Sequence, residues 1–535
     1  MQDDSDAKSL LATASLASAS SLVLLQLLSR VFTFALNQAL VRVVSPQVFG
    51  TAAIQFELLL STILFLSREG FRNALLRSPT KGSTTAQNAS LTRNISLLPV
   101  LLGVPVTLLS AMIYLYSSSA TTSSQPHFKL SVIVYALAAF CELLSEPLYI
   151  RAQNELRFDV RVKAEGLAVF LKTAITFVVL VTQPAEWALV AFAAGQAAYG
   201  LTMLASFANA YSFQLSYWPQ SVKVDVHGNS KTQLFDRSLL QLSGAMTAQS
   251  VVKHFLTEGD KFLVSRLSPL SDQGGYAVAS NYGSLVARII LQPIEETSRL
   301  FFSKMLSASG KNSPEALESA ANALMVLLLI FTHLFLLLVT FAPPYLPLAL
   351  TLVLPSRYLQ TSAPSILGTY IYYVPTMAFN GILEAFFTST ATPADLRAQS
   401  RYLLAFSVGF VGAAAAFTQG LGLGDTGLVW ANILNLFFRA LYAWKFVRAF
   451  FQKRDSGDLV HWRKAIPPIK VLVVFAVSAL ATRWCGTFYV DSPMTIPARL
   501  PHIFAGCVFV GCSLLACFMW EASLFRQAYS FIRTR

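Results

Sequence analysis

Fourteen stretches of mostly apolar residues recur along the chain, each close to the 20 or so that a helix needs to cross a bilayer. They lie near 20–42, 46–67, 94–116, 130–150, 164–182 and 186–208, then 238–258, 275–299, 320–341, 363–388, 402–418 and 426–444, and finally 470–484 and 501–521. Composition agrees. Hydrophobic residues make up 54% of the 535 and charged ones 13%, about half of the roughly 25% usual in soluble proteins. A mean hydropathy of +0.55 leaves too little polar surface to clothe a soluble globule of this size. Soluble multidomain folds, charge-rich disorder, nucleic-acid-binding tails and disulfide-stapled modules are excluded. The expected fold class is an all-α polytopic membrane protein with fourteen transmembrane helices.

The loops test that count. With a cytosolic N-terminus and alternating sides, 27 loop Lys and Arg fall on the cytosolic side and 7 opposite. The positive-inside rule demands such a bias, and adding or dropping one span would scramble it. Both termini are therefore expected in the cytosol, and the formal charge of +13 reports topology rather than nucleic acid. The start of the chain, with Asp3, Asp4 and Asp6, lacks the basic region and cleavage site of a signal peptide. The sequons at Asn88 and Asn94 fall on the cytosolic side and are expected to be unmodified. Cys141, Cys485, Cys507, Cys512 and Cys517 show no metal or disulfide spacing.

The spans divide as six, six and two. The expected domains are an N-lobe (1–208), a cytosolic linker (209–236), a C-lobe (237–450), a basic cytosolic loop (451–469) and a C-terminal pair with its tail (470–535). A shift of 226 lays Ser45, Gln47, Phe56 and Glu69 on Ser271, Gln273, Tyr282 and Glu295. Repeats starting on the same side imply two pseudo-symmetric lobes about an axis normal to the membrane.

Six basic residues lie within expected spans: Arg30, Lys172, Lys253, Arg288, Arg299 and Arg439. Each costs about 2.5–3.5 kcal/mol at mid-membrane, so each should face a bundle interior or a wet cavity. Polar neighbours at helical spacing form seams. Gln26, Arg30, Thr33 and Asn37 share one face, as do Asn281, Ser284, Arg288, Gln292, Glu295 and Arg299. Gln249, Lys253, Thr257 and Glu258 mark the seventh span. Tyr373, Asn380 and Glu384 mark the tenth, and Asn432, Asn435 and Arg439 the twelfth. Glu57 and Ser61 continue to Arg68 and Arg72 on the second. Packing by interhelical hydrogen bonds and ion pairs accounts for any one of these residues. The aligned set points instead to an interior cavity lined by arginine, the side chain suited to bidentate phosphate recognition. Pro105, Pro293 and Pro375 interrupt helices, as hinges or as static bends.

There is no P-loop and no H-E-x-x-H, and His127, His227, His254, His333, His461 and His502 are scattered. No metal, cofactor or enzymatic activity is expected.

The segments FLSREGFRNALLR (65–77), KHFLTEGDKFLVS (253–265), NYGSLVARIILQPIEETSRLFFSK (281–304) and FNGILEAF (379–386) resemble signature segments of the eukaryotic Rft family, the dolichyl-diphosphate oligosaccharide translocation proteins. The resemblance covers essentially all of the chain. It implies the multidrug/oligosaccharidyl-lipid/polysaccharide exporter superfamily, with the lipid II flippase and MATE antiporters: two six-helix lobes around a central cavity and two peripheral helices, in the endoplasmic reticulum membrane. The implied substrate is a mannosylated dolichyl diphosphate, flipped from the cytosolic to the lumenal leaflet for N-glycosylation, with membrane lipids and the glycosylation machinery as partners. Residues carried over by motif are Arg30, Arg42, Arg68, Arg72, Glu258, Arg288 and Arg439. Asn73 stands where the family tends to have a second arginine.

The candidate cavity set is thus Arg30, Arg42, Arg68, Arg72, Lys253, Glu258, Arg288, Glu295, Asn380, Glu384, Asn435 and Arg439. The leading expectation is alternating access, in which arginines engage the diphosphate while Glu258 and Glu295 hold them apart in the empty cavity. A non-transporting accessory that binds the lipid-linked oligosaccharide is the second reading. A MATE-like cation-coupled exporter, which predicts an acidic interior, ranks third.

Overall fold

The computed structural model describes residues 35, 38–77, 85–155, 157–213, 217–226, 229–306 and 313–521. Five long helices come first: α1 (Pro46–Leu75), α2 (Ser90–Ser117), α3 (Phe128–Asn154), α4 (Asp159–Thr182) and α5 (Ala185–Ala210). Strands β1 (Val222–Val226) and β2 (Asn229–Gln233) follow. Next come α6 (Arg237–Leu267), α7 (Leu270–Val286), α8 (Gln292–Leu306) and α9 (Pro314–Val353). The last are α10 (Ala363–Thr390), α11 (Pro393–Ala415), α12 (Asp425–Gln452), α13 (Ile469–Thr487) and α14 (Leu500–Trp520).

Among the described residues, nine helices are long and apolar enough to cross a membrane: α1 to α5, α9, and the stretches containing α11, α13 and α14. The first expected span lies almost wholly outside the described residues. Each later one falls on helix, with 275–299 carried by α7 and α8 and the π turn Ala287–Leu291 between them. Pro293, just past that turn, has no N–H to donate one turn back, and the widened turn accommodates the loss. The 209–236 segment, expected to be a plain linker, contains an antiparallel hairpin pairing Val222 with Gln233 and Val226 with Asn229. The chain is therefore not wholly helical. The alternation Val222, Val224, Val226 is the strand signal that a helix-length window passes over.

The chain packs into two compact units that divide between Ala277 and Val278, so α6 lies in the first. The expected lobe boundary and this division differ by α6 and the start of α7. Hydrocarbon offers apolar side chains no reason to leave it, so helices in lipid associate through close backbone approach and hydrogen bonds. In the first unit a Cβ on Gly200 of α5 would lie 2.5 Å from Ala138 O on α3. One on Gly274 of α7 would lie 2.0 Å from Pro46 O on α1. Phe56 is fully buried there, its ring 4.9 Å from that of Tyr135. In the second unit Phe302, Phe386 and Phe451 are fully buried together. Outward faces are apolar, as with Leu108, Leu109, Met112 and Ile113 on α2 or Val408 and Val411 on α11.

Asn94, one of the two sequons, is buried. Its amide nitrogen donates to Gln220 O and Leu234 O, at 2.6 and 2.7 Å. An amide so engaged is closed to a glycan. Asp236 caps α6, accepting from Ser238 N at 2.7 Å and Leu239 N at 3.2 Å. Burial alone would raise its carboxyl, but these donors outweigh it and hold the group below its usual value. The cap is thus present at neutral pH and lost on acidification through that lowered value.

Gly274→Ala should cost about 1–3 kcal/mol by overpacking, read as a lower melting temperature of the purified protein. Gly412→Ala on α11, where a Cβ meets nothing within 4 Å, should leave stability unchanged or raise it by up to about 1 kcal/mol.

Candidate functional site

Arg68 and Arg72 stand one helical turn apart near the end of α1, and α3 presents Glu142 and Glu146 at the same spacing. The two pairs meet in register. Arg68 Nη1 donates to Glu142 Oε1 at 2.6 Å and lies 3.9 Å from Glu146 Oε2. Arg72 grips Glu146 with both Nε and Nη2, the latter at 2.7 Å, and its guanidinium lies 3.8 Å from the centre of the Tyr149 ring. The Glu146 side chain is 0% exposed and the arginines 17% each. Two positive and two negative charges thus form a neutral buried square, the arrangement in which desolvated charges persist.

Along α6 in the same unit, Glu258 pairs with Lys261 Nζ at 2.8 Å, and Tyr276 OH donates to Asp260 Oδ2 at 3.1 Å. His254 Nε2 lies 3.0 Å from Thr62 Oγ1 on α1.

The second unit holds a comparable group on α10 and α12. Arg439 Nη2 donates to both Glu384 oxygens, at 2.7 and 2.9 Å, and Asn380 Nδ2 donates to Glu384 Oε2 at 3.0 Å. Three buried polar atoms of this group have no hydrogen-bond partner among the described residues: Asn380 Oδ1, Asn435 Oδ1 and Arg439 Nε. A small cleft beside them is lined by Gln399, Tyr402, Phe406 and Tyr442. Glu295 on α8 reaches the α10 backbone because Gly381 has no side chain. A Cβ there would lie 3.0 Å from Glu295 Oε2.

The structure therefore brings Asn380, Glu384 and Arg439 together, with Asn435 one turn before Arg439 on α12. It brings Arg68 and Arg72 together with two glutamates. Arg288 is exposed and bonded to its own helix, Nη2 donating to Ser284 Oγ at 2.6 Å. Arg42 is exposed just before the Ser45 cap of α1. Lys253 lies within α6. Arg30 lies outside the described residues. The expected role of Glu258 and Glu295 as spacers for cavity arginines is not what the side chains do. Glu258 pairs with Lys261, and Glu295 pairs with Arg299 at 2.7 Å, each the nearest cation on its own helix. Of the candidate arginines, Arg68 and Arg72 are held by Glu142 and Glu146, and Arg439 by Glu384. Glu142 and Glu146 escaped the sequence reading, although two acids four apart in a span facing two arginines four apart were a signal available there.

Chemically, guanidinium, amide and carboxylate groups are ones that can bind anions and polar ligands.

The family described as Rft protein matches residues 14–531. The chain is 34% identical over 543 residues to the Man(5)GlcNAc(2)-PP-dolichol translocation protein RFT1 of Yarrowia lipolytica, which spans 91% of this chain and 77% of that one. The protein of the same name from Schizosaccharomyces pombe is 34% identical over 514 residues, 88% of this chain and 94% of that one. The one from Mus musculus is 30% identical over 97% of this chain and 96% of its own length. Among solved structures, the lipid II flippase MurJ in an inward closed conformation superposes with a TM-score of 0.62 at 12% identity, over 93% of this chain and 99% of that chain. An inward-facing MATE family transporter superposes with a TM-score of 0.54 at 15% identity, over 78% and 95%. At such identities the likeness is one of fold.

Glu146→Gln strands Arg72 in a buried site and should cost about 3–5 kcal/mol, whereas the double change Glu146→Leu with Arg72→Met should recover most of that loss. Thermal unfolding of the purified protein measures both. Glu384→Gln, whose carboxylate is 23% exposed, should cost less than Glu146→Gln.

Proposed function

The chain belongs to the Rft protein family, and on that premise we propose that it moves a mannosylated dolichyl diphosphate across the endoplasmic reticulum membrane, from cytosolic to lumenal leaflet, for N-glycosylation. In this reading the chain crosses the bilayer fourteen times with both ends in the cytosol, and its two six-helix lobes flank a central cavity.

One observation carries the reading. The Nε–H of Arg439 itself and the side-chain oxygens of Asn380 and Asn435 are buried without a partner among the described residues, while Nη2 of the same guanidinium is bound to the Glu384 carboxylate. A ligand that offers both phosphate acceptors and sugar hydroxyl donors would satisfy all three. Phosphate oxygens match the fork of an arginine as well as a carboxylate does, so a diphosphate can take the place of Glu384 or Glu146 without leaving a guanidinium unpaired. The glycan follows the polar seams. The polyprenyl chain stays in lipid, because sugars and phosphates cannot enter hydrocarbon unshielded whereas the chain prefers it. The name of the relatives, Man(5)GlcNAc(2)-PP-dolichol translocation protein, supports the substrate class.

A second reading, a static binder that presents the lipid to the glycosylation machinery, is favoured by the carboxylate locks themselves, which require no second conformation.

Purified protein in proteoliposomes should move labelled lipid-linked oligosaccharide to the inner leaflet faster than empty vesicles. Crosslinking the lobes should abolish that transfer. Folded protein that gives no gain over empty vesicles would leave the static binder as the surviving account.

A further inference from the structure

The C-terminal hairpin α13–α14 docks on α9 through an apolar cluster of Phe341, Val471, Phe475 and Cys517. At one end of this seam the contacts change character. His333 of α9 points Nε2 at Glu521 Oε2, 2.5 Å away and 188 residues along the chain. Cys517 lies one turn before Glu521 on the same face of α14. Cys517 and Glu521 are buried, and the His333 side chain is 13% exposed. The imidazole nitrogen, the thiol sulfur and a carboxylate oxygen all lie within 4.8 Å of one another.

We propose that His333, Cys517 and Glu521 form a divalent metal site, suited to zinc, that fastens α14 to α9. The three donors are those zinc takes in proteins, and three protein ligands leave a fourth position for water. The other imidazole nitrogen is already committed, since His333 Nδ1 lies 2.8 Å from Leu329 O. A backbone carbonyl on the far nitrogen is the usual outer-shell support of a metal-bound histidine, fixing the ring and aiming the lone pair of Nε2. Charge balances as well: one thiolate and one carboxylate neutralise a divalent ion, which a poorly solvated site requires.

Binding replaces the proton of the Nε2–Oε2 hydrogen bond and the thiol proton, both released to solvent, so one divalent ion enters and two protons leave. Two ligands on one tetrahedral zinc sit about 3.4 Å apart at bond lengths near 2.1 Å, so Glu521 must retreat by roughly 1 Å. It is placed to do so, as the residue that ends α14.

The test uses the full-length protein, stripped with chelator, reloaded with zinc or cobalt(II) and dialysed. About one metal per chain should remain, and cobalt should show a thiolate charge-transfer band in the near ultraviolet. Cys517→Ser should abolish the band, and His333→Gln or Glu521→Gln should weaken affinity at least about tenfold. Cys512→Ser, at an exposed cysteine on the same helix, should change nothing. Chelator should lower the melting temperature of the loaded wild type. Wild type that retains no metal above background, or a cobalt band that survives Cys517→Ser, would overturn the proposal and leave an ion pair only. The wild-type measurement decides the matter even if a variant fails to fold.

Discussion

A guanidinium inside a bilayer must find a carboxylate or water, and that constraint organises this chain. Arg68 and Arg72 meet Glu142 and Glu146, and Arg439 meets Glu384. Removing a charge from water costs several kcal/mol even after relaxation, so each pair persists only through close geometry and further hydrogen bonds. The Tyr149 ring stacked against the Arg72 guanidinium and the hydrogen bond from Asn380 to Glu384 add to this support. The pairs do not explain stability by themselves, because well-packed apolar side chains would serve that purpose as well.

The same constraint accounts for which helices are least apolar. Among the described residues α6, α7, α8, α10 and α12 are not among the helices apolar enough to cross a membrane by composition, although α6, α10 and α12 run to 31, 28 and 28 residues. These helices carry Glu258, Glu295, Glu384 and Arg439. Their hydropathy is lowered by these charged side chains and by the polar residues that share their faces. Such helices have to be shielded by others, and the small-residue contacts of Gly70 with Thr247 and of Gly274 with Pro46 draw α6 and α7 close to α1.

Helix positions were legible in the sequence because period and length are local properties. The polar seams were legible for the same reason, and the proposed Arg439 site lies on two of them. Partners were not. Pairing of Arg72 with Glu146 spans 74 residues and depends on how α1 and α3 pack, which one sequence does not encode in any short motif. Glu258 and Glu295 were assigned to distant arginines, whereas a cation one turn away on the same helix was the nearer competitor. The β-hairpin was missed because a search for 20-residue apolar runs ignores five-residue alternation. His333 and Glu521 lie too far apart in the chain for ligand spacing to register.

The account stands or falls on whether an anionic diphosphate takes over arginines now held by carboxylates. Binding of a short-chain dolichyl diphosphate glycan to the purified protein, measured by calorimetry for wild type, Arg72→Met and Arg439→Met, tests this directly. Affinity should fall at least about tenfold in at least one variant, corresponding to about 1.4 kcal/mol or more, and should weaken with added salt. Equal affinity in all three proteins would contradict it.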